Sequence, residues 1–287
     1  MRRAGVLLAA LALASCASMT PPDTIRADLA AIEARSGGRL GVALVDQDGR
    51  QVAGHRADER FALCSTFKLP LAAMVLEKAA EGRWAMGDAL PVTDADMVAY
   101  APYVEAQRDK SPPEPVTVEG AAAAAVSLSD NAAANLLLDR LDGPQGFTAW
   151  LRGKGDAVTR LDRREPKLNE NAIGDLRDTT SPLAMAETTR RLVIGDAMPL
   201  GQQRLLYRWM EDTATGLKRI RAGLPQGWSA GDKTGSCGNA FNDVAVFTTA
   251  KGRRYALAVY LDRPVVKGDD ASAILADATR ALLPVLR

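Results

Sequence analysis

Ser65 and Lys68, in Ser65-Thr66-Phe67-Lys68, stand three residues apart, a spacing that puts both on one helix face and an amine within reach of a hydroxyl. Lys68 can then activate Ser65 as a nucleophile. A match of this kind arises by chance about once in a chain of this size, so its meaning depends on its company. Ser129-Asp130-Asn131 adds a hydroxyl that can pass a proton to a leaving nitrogen, and an amide, Asn131, that can hold a substrate amide and orient Lys68. Lys233-Thr234-Gly235-Ser236 adds a positive charge for a substrate carboxylate, with the hydroxyls of Thr234 and Ser236 directed at the same group. Gly235 is expected to let the strand backbone approach a bound ligand closely. Glu165-Pro166-Lys167-Leu168-Asn169 then sets a carboxylate and an amide on the stretch from Leu161 to Asp178, where the pair can hold a water that Glu165 deprotonates. The chemistry available is acyl transfer to Ser65 followed by hydrolysis.

Rigid elements must bring these groups together. Thr24 to Ser36 has helical spacing, and Leu40 to Asp46 with Gln51 to His55 alternates around the turn Asp48-Gly49. From Thr66 to about Ile194 the pattern is helical, over Phe67 to Ala80, Val116 to Leu128, Asn131 to Leu141 and Pro182 to Ile194. Strand patterns return at Trp228 to Ser236, Asp243 to Thr249 and Tyr255 to Asp262, the last two joined at Lys251-Gly252, before a final helix from Asp270 to Leu286. The pattern predicts an α/β lobe plus an all-α lobe: an antiparallel five-stranded sheet flanked by the first and last helices, with the helical lobe inserted. Residues 24–62 and 213–287 would form the sheet lobe and 63–212 the helical lobe, with a ligand cleft where they meet.

A chain of 287 residues, 47% hydrophobic and 25% charged, can bury a large core, and its net charge of +1 supplies no field for nucleic acid or an anionic membrane. Met1-Arg2-Arg3 and the apolar run Ala4 to Ala14 form an export signal too short to span a bilayer. It ends in Leu13-Ala14-Ser15-Cys16, which resembles a lipobox, so residues 1–16 are expected to be a signal peptide and 17–23 a linker. Lipidation at Cys16 would anchor the domain to a membrane; ordinary cleavage just after Cys16 would release it, and either route delivers it to the periplasm. In that compartment Cys64 and Cys237 can pair, closing a long loop worth about 5 kcal/mol in the chain-entropy model; two free buried thiols are the alternative.

S-x-x-K, then S-D-N, then K-T-G in this order resembles class A β-lactamases and penicillin-binding proteins, and the similarity extends over nearly all of the chain beyond the signal. The resemblance implies the β-lactamase/penicillin-binding-protein transpeptidase-like fold, a β-lactam substrate, no cofactor, no metal and a monomer. It assigns Ser65, Lys68, Ser129 and Glu165 to catalysis, and Asn131, Asn169, Lys233, Thr234, Gly235 and Ser236 to substrate binding. Glu165 with Asn169 separates a hydrolase from a D,D-peptidase or a lactam sensor, both of which remain acylated. Also implied are an ion pair of Arg163 with Asp178 closing the loop and an oxyanion hole from the backbone N–H groups of Ser65 and Ser236. The base that deprotonates Ser65 is either Lys68 or, through a water, Glu165. Where many relatives carry an arginine after K-T-G this chain has Asn242, and Arg219 is expected to take its place at the substrate carboxylate. Tyr100 resembles the aromatic at the cleft mouth. A Cys64–Cys237 bridge would resemble the carbapenem-hydrolysing branch of class A.

Gly227-Trp228-Ser229-Ala230-Gly231 also matches G-x-S-x-G, the nucleophile elbow of α/β-hydrolases. That fold needs a histidine after the serine, and the one histidine, His55, lies far upstream. A single histidine likewise argues against a zinc hydrolase.

Overall fold

The computed structural model describes residues 21–286, so the signal segment and Cys16 lie outside the described residues. Helix α1 (Pro21–Ser36) leads into strands β1 (Arg39–Asp46) and β2 (Gln51–His55), and then into the short β3 (Phe61–Ala62). A 3-10 turn at Cys64–Phe67 opens α2 (Lys68–Ala80); β4 (Ala89–Leu90), α3 (Pro102–Arg108), β5 (Val116–Thr117), α4 (Val118–Ser127), α5 (Asn131–Arg140) and α6 (Gly143–Gly153) follow. After the loop at 161–178 come β6 (Thr179–Thr180), α7 (Pro182–Val193), α8 (Leu200–Glu211) and the short α9 (Ile220–Gly223). The chain closes with β7 (Ser229–Cys237), β8 (Ala240–Thr248), β9 (Arg254–Asp262) and α10 (Gly268–Ala281).

The main sheet is antiparallel with the order β2-β1-β9-β8-β7. Its central strands are near-continuous apolar runs because both faces are covered. Leu40, Val42 and Leu44 of β1 and Leu257, Val259 and Leu261 of β9 pack under α1 and α10, while Ala43, Val45, Ala256, Ala258 and Tyr260 turn to the helical lobe. One alternation along each strand thus feeds two cores and fixes the register. No helix among the described residues is long and apolar enough to cross a membrane.

The structure corrects several expectations. The helix expected from Val116 starts at Val118, because Val116–Thr117 pairs with Ala89–Leu90 and the Thr117 side chain caps α4 by accepting from the Gly120 N–H at 3.1 Å. Phe61–Ala62 likewise pairs with Thr179–Thr180, so the inserted lobe is not wholly helical. Helix α1 begins at Pro21, within the stretch expected as linker. The last helix ends at Ala281 and continues as a 3-10 turn over Leu283–Val285, where Pro284 has no N–H to donate. Helices α3, α6, α8 and α9 were not among the expected elements.

Candidate active site

The site lies between the lobes, and its parts are fixed from below. Asp130 is buried at the N-cap of α5, where Oδ1 accepts from the Ala133 N–H at 2.8 Å. Its Oδ2 accepts from the N–H groups of Tyr103 and Val104, at 2.9 and 3.1 Å, tying the start of α3 to the start of α5. Ser129 is held at φ +61°, a left-handed backbone that a non-glycine residue keeps only when its surroundings impose it. Its hydroxyl and the Asn131 amide therefore both reach the cleft.

Lys68 is fully buried as the first residue of α2. Its Nζ donates to Ser65 Oγ at 3.0 Å, to the Ser129 carbonyl at 2.9 Å and to Asn131 Oδ1, and lies 3.0 Å from Glu165 Oε1. An ammonium has three protons for these four oxygens. Burial lowers its pKa, against the raising effect of Glu165 and Asp130, so the ammonium gives up a proton more readily than an exposed lysine does. Ser65 Oγ is 3.5 Å from Glu165 Oε1, so both candidate bases face the same hydroxyl.

Glu165 is held at both ends. Its backbone is clasped by Asn135, whose Oδ1 accepts from the Glu165 N–H at 3.1 Å and whose Nδ2 donates to the Glu165 carbonyl at 3.0 Å. Its Oε2 accepts from Asn169 Nδ2 at 2.6 Å, and Asn169 Oδ1 is buried without a protein partner among the described residues. The neck of the loop is closed as expected: Arg163 Nε donates to Asp178 Oδ2 at 2.6 Å, and Asp178 Oδ1 accepts from the N–H groups of Asp162 and Arg163.

The opposite wall is β7. Lys233, fully buried, donates to Ser129 Oγ at 3.0 Å and to the Thr234 carbonyl at 2.8 Å; burial and the nearby Lys68 hold its pKa well below the usual range. Arg219 reaches this strand from the segment before α9, donating to the carbonyls of Gly235 and Asn242 at 3.0 and 2.6 Å and to Ser236 Oγ at 2.7 Å. Asn242, paired opposite Gly235, instead supports the residues before the nucleophile, donating to the Ala62 and Leu63 carbonyls at 2.9 and 3.3 Å. Gly235 is also where β7 runs against the nucleophile's own segment. A side chain there would meet the Leu63 carbonyl at 3.0 Å and Thr66 Cγ2 at 3.1 Å, so the glycine admits the nucleophile's own segment against β7. Cys64 and Cys237 are bonded, with Cα atoms 5.5 Å apart, joining those two segments.

Ser65, Tyr100, Ser129, Asn131, Asn169, Thr234, Ser236 and Arg219, together with Thr215, line one cavity of about 300 Å³. Tyr100 stands exposed at its mouth. Thr215, whose hydroxyl is 2.7 Å from that of Thr234, was not anticipated from the sequence, and neither was Asn135, although its i+4 spacing from Asn131 on α5 was a usable signal. Ser229 sits exposed at the start of β7, 3.5 Å from the Tyr207 hydroxyl, and His55 pairs with Glu33 at 3.1 Å, so the elbow reading finds no histidine at its serine.

The carboxyl groups of Asp232, on β7, and Asp243, on β8, are buried. Burial raises both pKa values, that of Asp243 further because of the charge of Asp232. Arg221 pairs with Asp232, and Gly216 has no room for a side chain beside it.

Residues 24–286 match the model of the β-lactamase enzyme family. Beta-lactamase L2 of Stenotrophomonas maltophilia is 42% identical over 278 residues, covering 95% of this chain and 90% of that protein. Beta-lactamase OXY-2 of Klebsiella oxytoca is 40% identical, with 97% and 96% covered. Among solved structures, an ancestral class A β-lactamase superposes with a TM-score of 0.87 at 44% identity, over 91% of this chain and all (100%) of that one. A β-lactamase from Xanthomonas campestris pv. campestris gives 0.87 at 39% identity, over 93% and 99%.

Proposed function

The chain belongs to the β-lactamase enzyme family and is a class A serine β-lactamase that hydrolyses β-lactam antibiotics, a resistance activity, and we propose how its residues divide the reaction. Ser65 Oγ attacks the lactam carbonyl carbon while its proton passes to Lys68, or through a water to Glu165. The oxyanion forms in reach of the backbone N–H groups of Ser65 and Ser236, donors aimed at charge present only in the tetrahedral intermediate. Ser129, held by Lys233 and beside Lys68, delivers a proton to the departing lactam nitrogen. Asn131 holds the substrate amide; Lys233, Thr234, Ser236 and Arg219 hold its carboxylate; Tyr100 borders the entrance.

A water held by Glu165 and Asn169 then attacks the acyl-enzyme. The observation that carries this reading is the bond from Asn169 Nδ2 to Glu165 Oε2, with a buried Asn169 Oδ1 beside it that has no partner among the described residues. That oxygen suits a water proton, and Glu165 suits the role of base. Nitrocefin turnover by the purified protein, abolished in Ser65→Ala and in Lys68→Ala, tests the assignment; turnover surviving Ser65→Ala would overturn it.

Export to the periplasm, anchoring through a lipidated Cys16 and action as a monomer complete the proposal. Intact mass of protein recovered from membranes distinguishes a diacylglyceryl cysteine from an unmodified terminus. The bridge next to Ser65 supports a finer reading, hydrolysis of carbapenems. Imipenem turnover no faster than in a relative that spares carbapenems would contradict it.

A further inference from the structure

Past Leu168 the loop at 161–178 does not rest on packed core. It borders a cavity of about 620 Å³, with Leu168, Asn171, Ile173 and Leu176 on the loop side and Arg39 and Arg263 on the sheet side. Ile173 is 86% exposed, so this limb gains little from apolar burial and its position depends on polar ties. One tie is the Arg163 group at the neck. The other leaves the end of β9. Arg263 Nη2 donates to the Asn171 carbonyl, and Nη1 meets both oxygens of Asp262 at 2.8 Å. Arg39 holds the same carboxylate from the other side at 3.2 Å. The Arg263 N–H donates to the Asn239 carbonyl at 2.7 Å, in the turn between β7 and β8. Asn171 in turn donates from Nδ2 to the Cys237 carbonyl at 3.4 Å.

Arg263 therefore touches three things: the end of the central strand, the turn after β7 and the loop two residues beyond Asn169. Its backbone sits at φ +49°, in the left-handed region, which a non-glycine side chain occupies at a cost. A planar fork that binds a carboxylate and a carbonyl at once also accounts for arginine rather than lysine.

We propose that Arg263 is a positioning residue for deacylation, setting through Asn171 the placement of Asn169 and Glu165 relative to the Ser236-Cys237 wall. The inference rests on the deacylating role given above to Glu165 and Asn169. Misplacing a reacting group by about 1 Å can cost about 100-fold, whereas acylation with Lys68 as the base draws on groups at the entry to α2, ahead of α5 and along β7, and does not pass through this tie.

The test is single-turnover and steady-state kinetics with benzylpenicillin for the parent, Arg263→Gly, Arg263→Lys and Glu165→Ala. Arg263→Gly deletes the fork and relieves the backbone together. It is expected to keep acylation within about twofold while deacylation slows about tenfold, so that acyl-enzyme accumulates. Arg263→Lys should recover part of the loss. Asn171→Ala, which cuts the link to Cys237 and leaves Arg263 in place, should show the same split to a smaller degree, and it decides the matter if Arg263→Gly does not fold. Equal slowing of both steps, or unchanged deacylation, overturns the proposal. If Glu165→Ala traps the acyl-enzyme and the Arg263 and Asn171 variants do not slow deacylation, the tether alone is wrong; if Glu165→Ala turns over freely, the deacylation reading fails and the tether with it.

Discussion

Asn169 donates its amide to Glu165 Oε2 at 2.6 Å while its own Oδ1 stays buried with no protein partner among the described residues. The bond orients the carboxylate, and the spare acceptor can orient a water against it. Asn169→Ala removes both. Deacylation should fall by at least about tenfold, the scale of losing a positioned general-base arrangement, with acylation changed less. Rapid-quench measurement of the two rates checks this, and equal losses would count against it.

Arg163 and Asp178 lock the neck of the same loop, and Asp178 is 1% exposed. Breaking one side of a buried pair strands the other. Arg163→Ala should destabilise the protein by about 3 kcal/mol, read from urea unfolding, because Asp178 keeps a charge without its counter-ion. A loss below about 1 kcal/mol would mean the pair behaves as a solvated one.

Arg219 binds three acceptors on β7 and β8 and is nearly buried. Hydrogen bonds to charged groups are worth about 1.5–3 kcal/mol, so Arg219→Ala should raise KM for carboxylate-bearing β-lactams about ten- to a hundredfold, with a smaller change in kcat. Arg219→Lys should rescue little, since a point charge cannot span the three acceptors. An unchanged KM would remove Arg219 from the carboxylate site.

The buried carboxyl groups of Asp232 and Asp243 give a pH signature. Asp243 is held well above its ordinary value of 3.8 by burial and by Asp232, so above that value the native state keeps a proton that the unfolded chain has lost. Its contribution to stability is present below 3.8 and is lost as pH rises through the folded value. Asp243→Asn, which resembles the protonated acid and cannot ionise, should flatten that decline. Urea midpoints at about pH 5 and about pH 8 for parent and variant measure the difference; parallel curves would show that the pair holds no extra proton.

The sequence made the chemistry legible because each catalytic group sits in a short motif whose spacing maps onto one element: Ser65 and Lys68 on one turn, Ser129 and Asn131 around a cap, Lys233 to Ser236 along one strand. The sheet covered on both faces was legible from the order of elements, strand patterns at the two ends of the chain with a helical stretch between them and a helix at each end. What escaped was set by distant partners. Asn135 clasps Glu165 from another helix, Gly235 is small because Leu63 and Thr66 press on it, and Arg263 meets Asn171 across 92 positions. No local pattern encodes such pairs. Helices α6 and α8 carry buried Phe147, Trp150, Leu206 and Trp209, and their periodicity was present in the sequence although no motif drew attention to it.

In the proposed reaction Glu165 drives hydrolysis of an acyl-enzyme on Ser65. Intact-protein mass spectrometry after incubation with benzylpenicillin, on the parent and on Glu165→Ala, tests it most directly. The expected result is an unmodified parent that has consumed the penicillin, and a variant carrying one persistent adduct that maps to Ser65. A persistent adduct on the parent, or a variant that clears its adduct as fast as the parent, would contradict it.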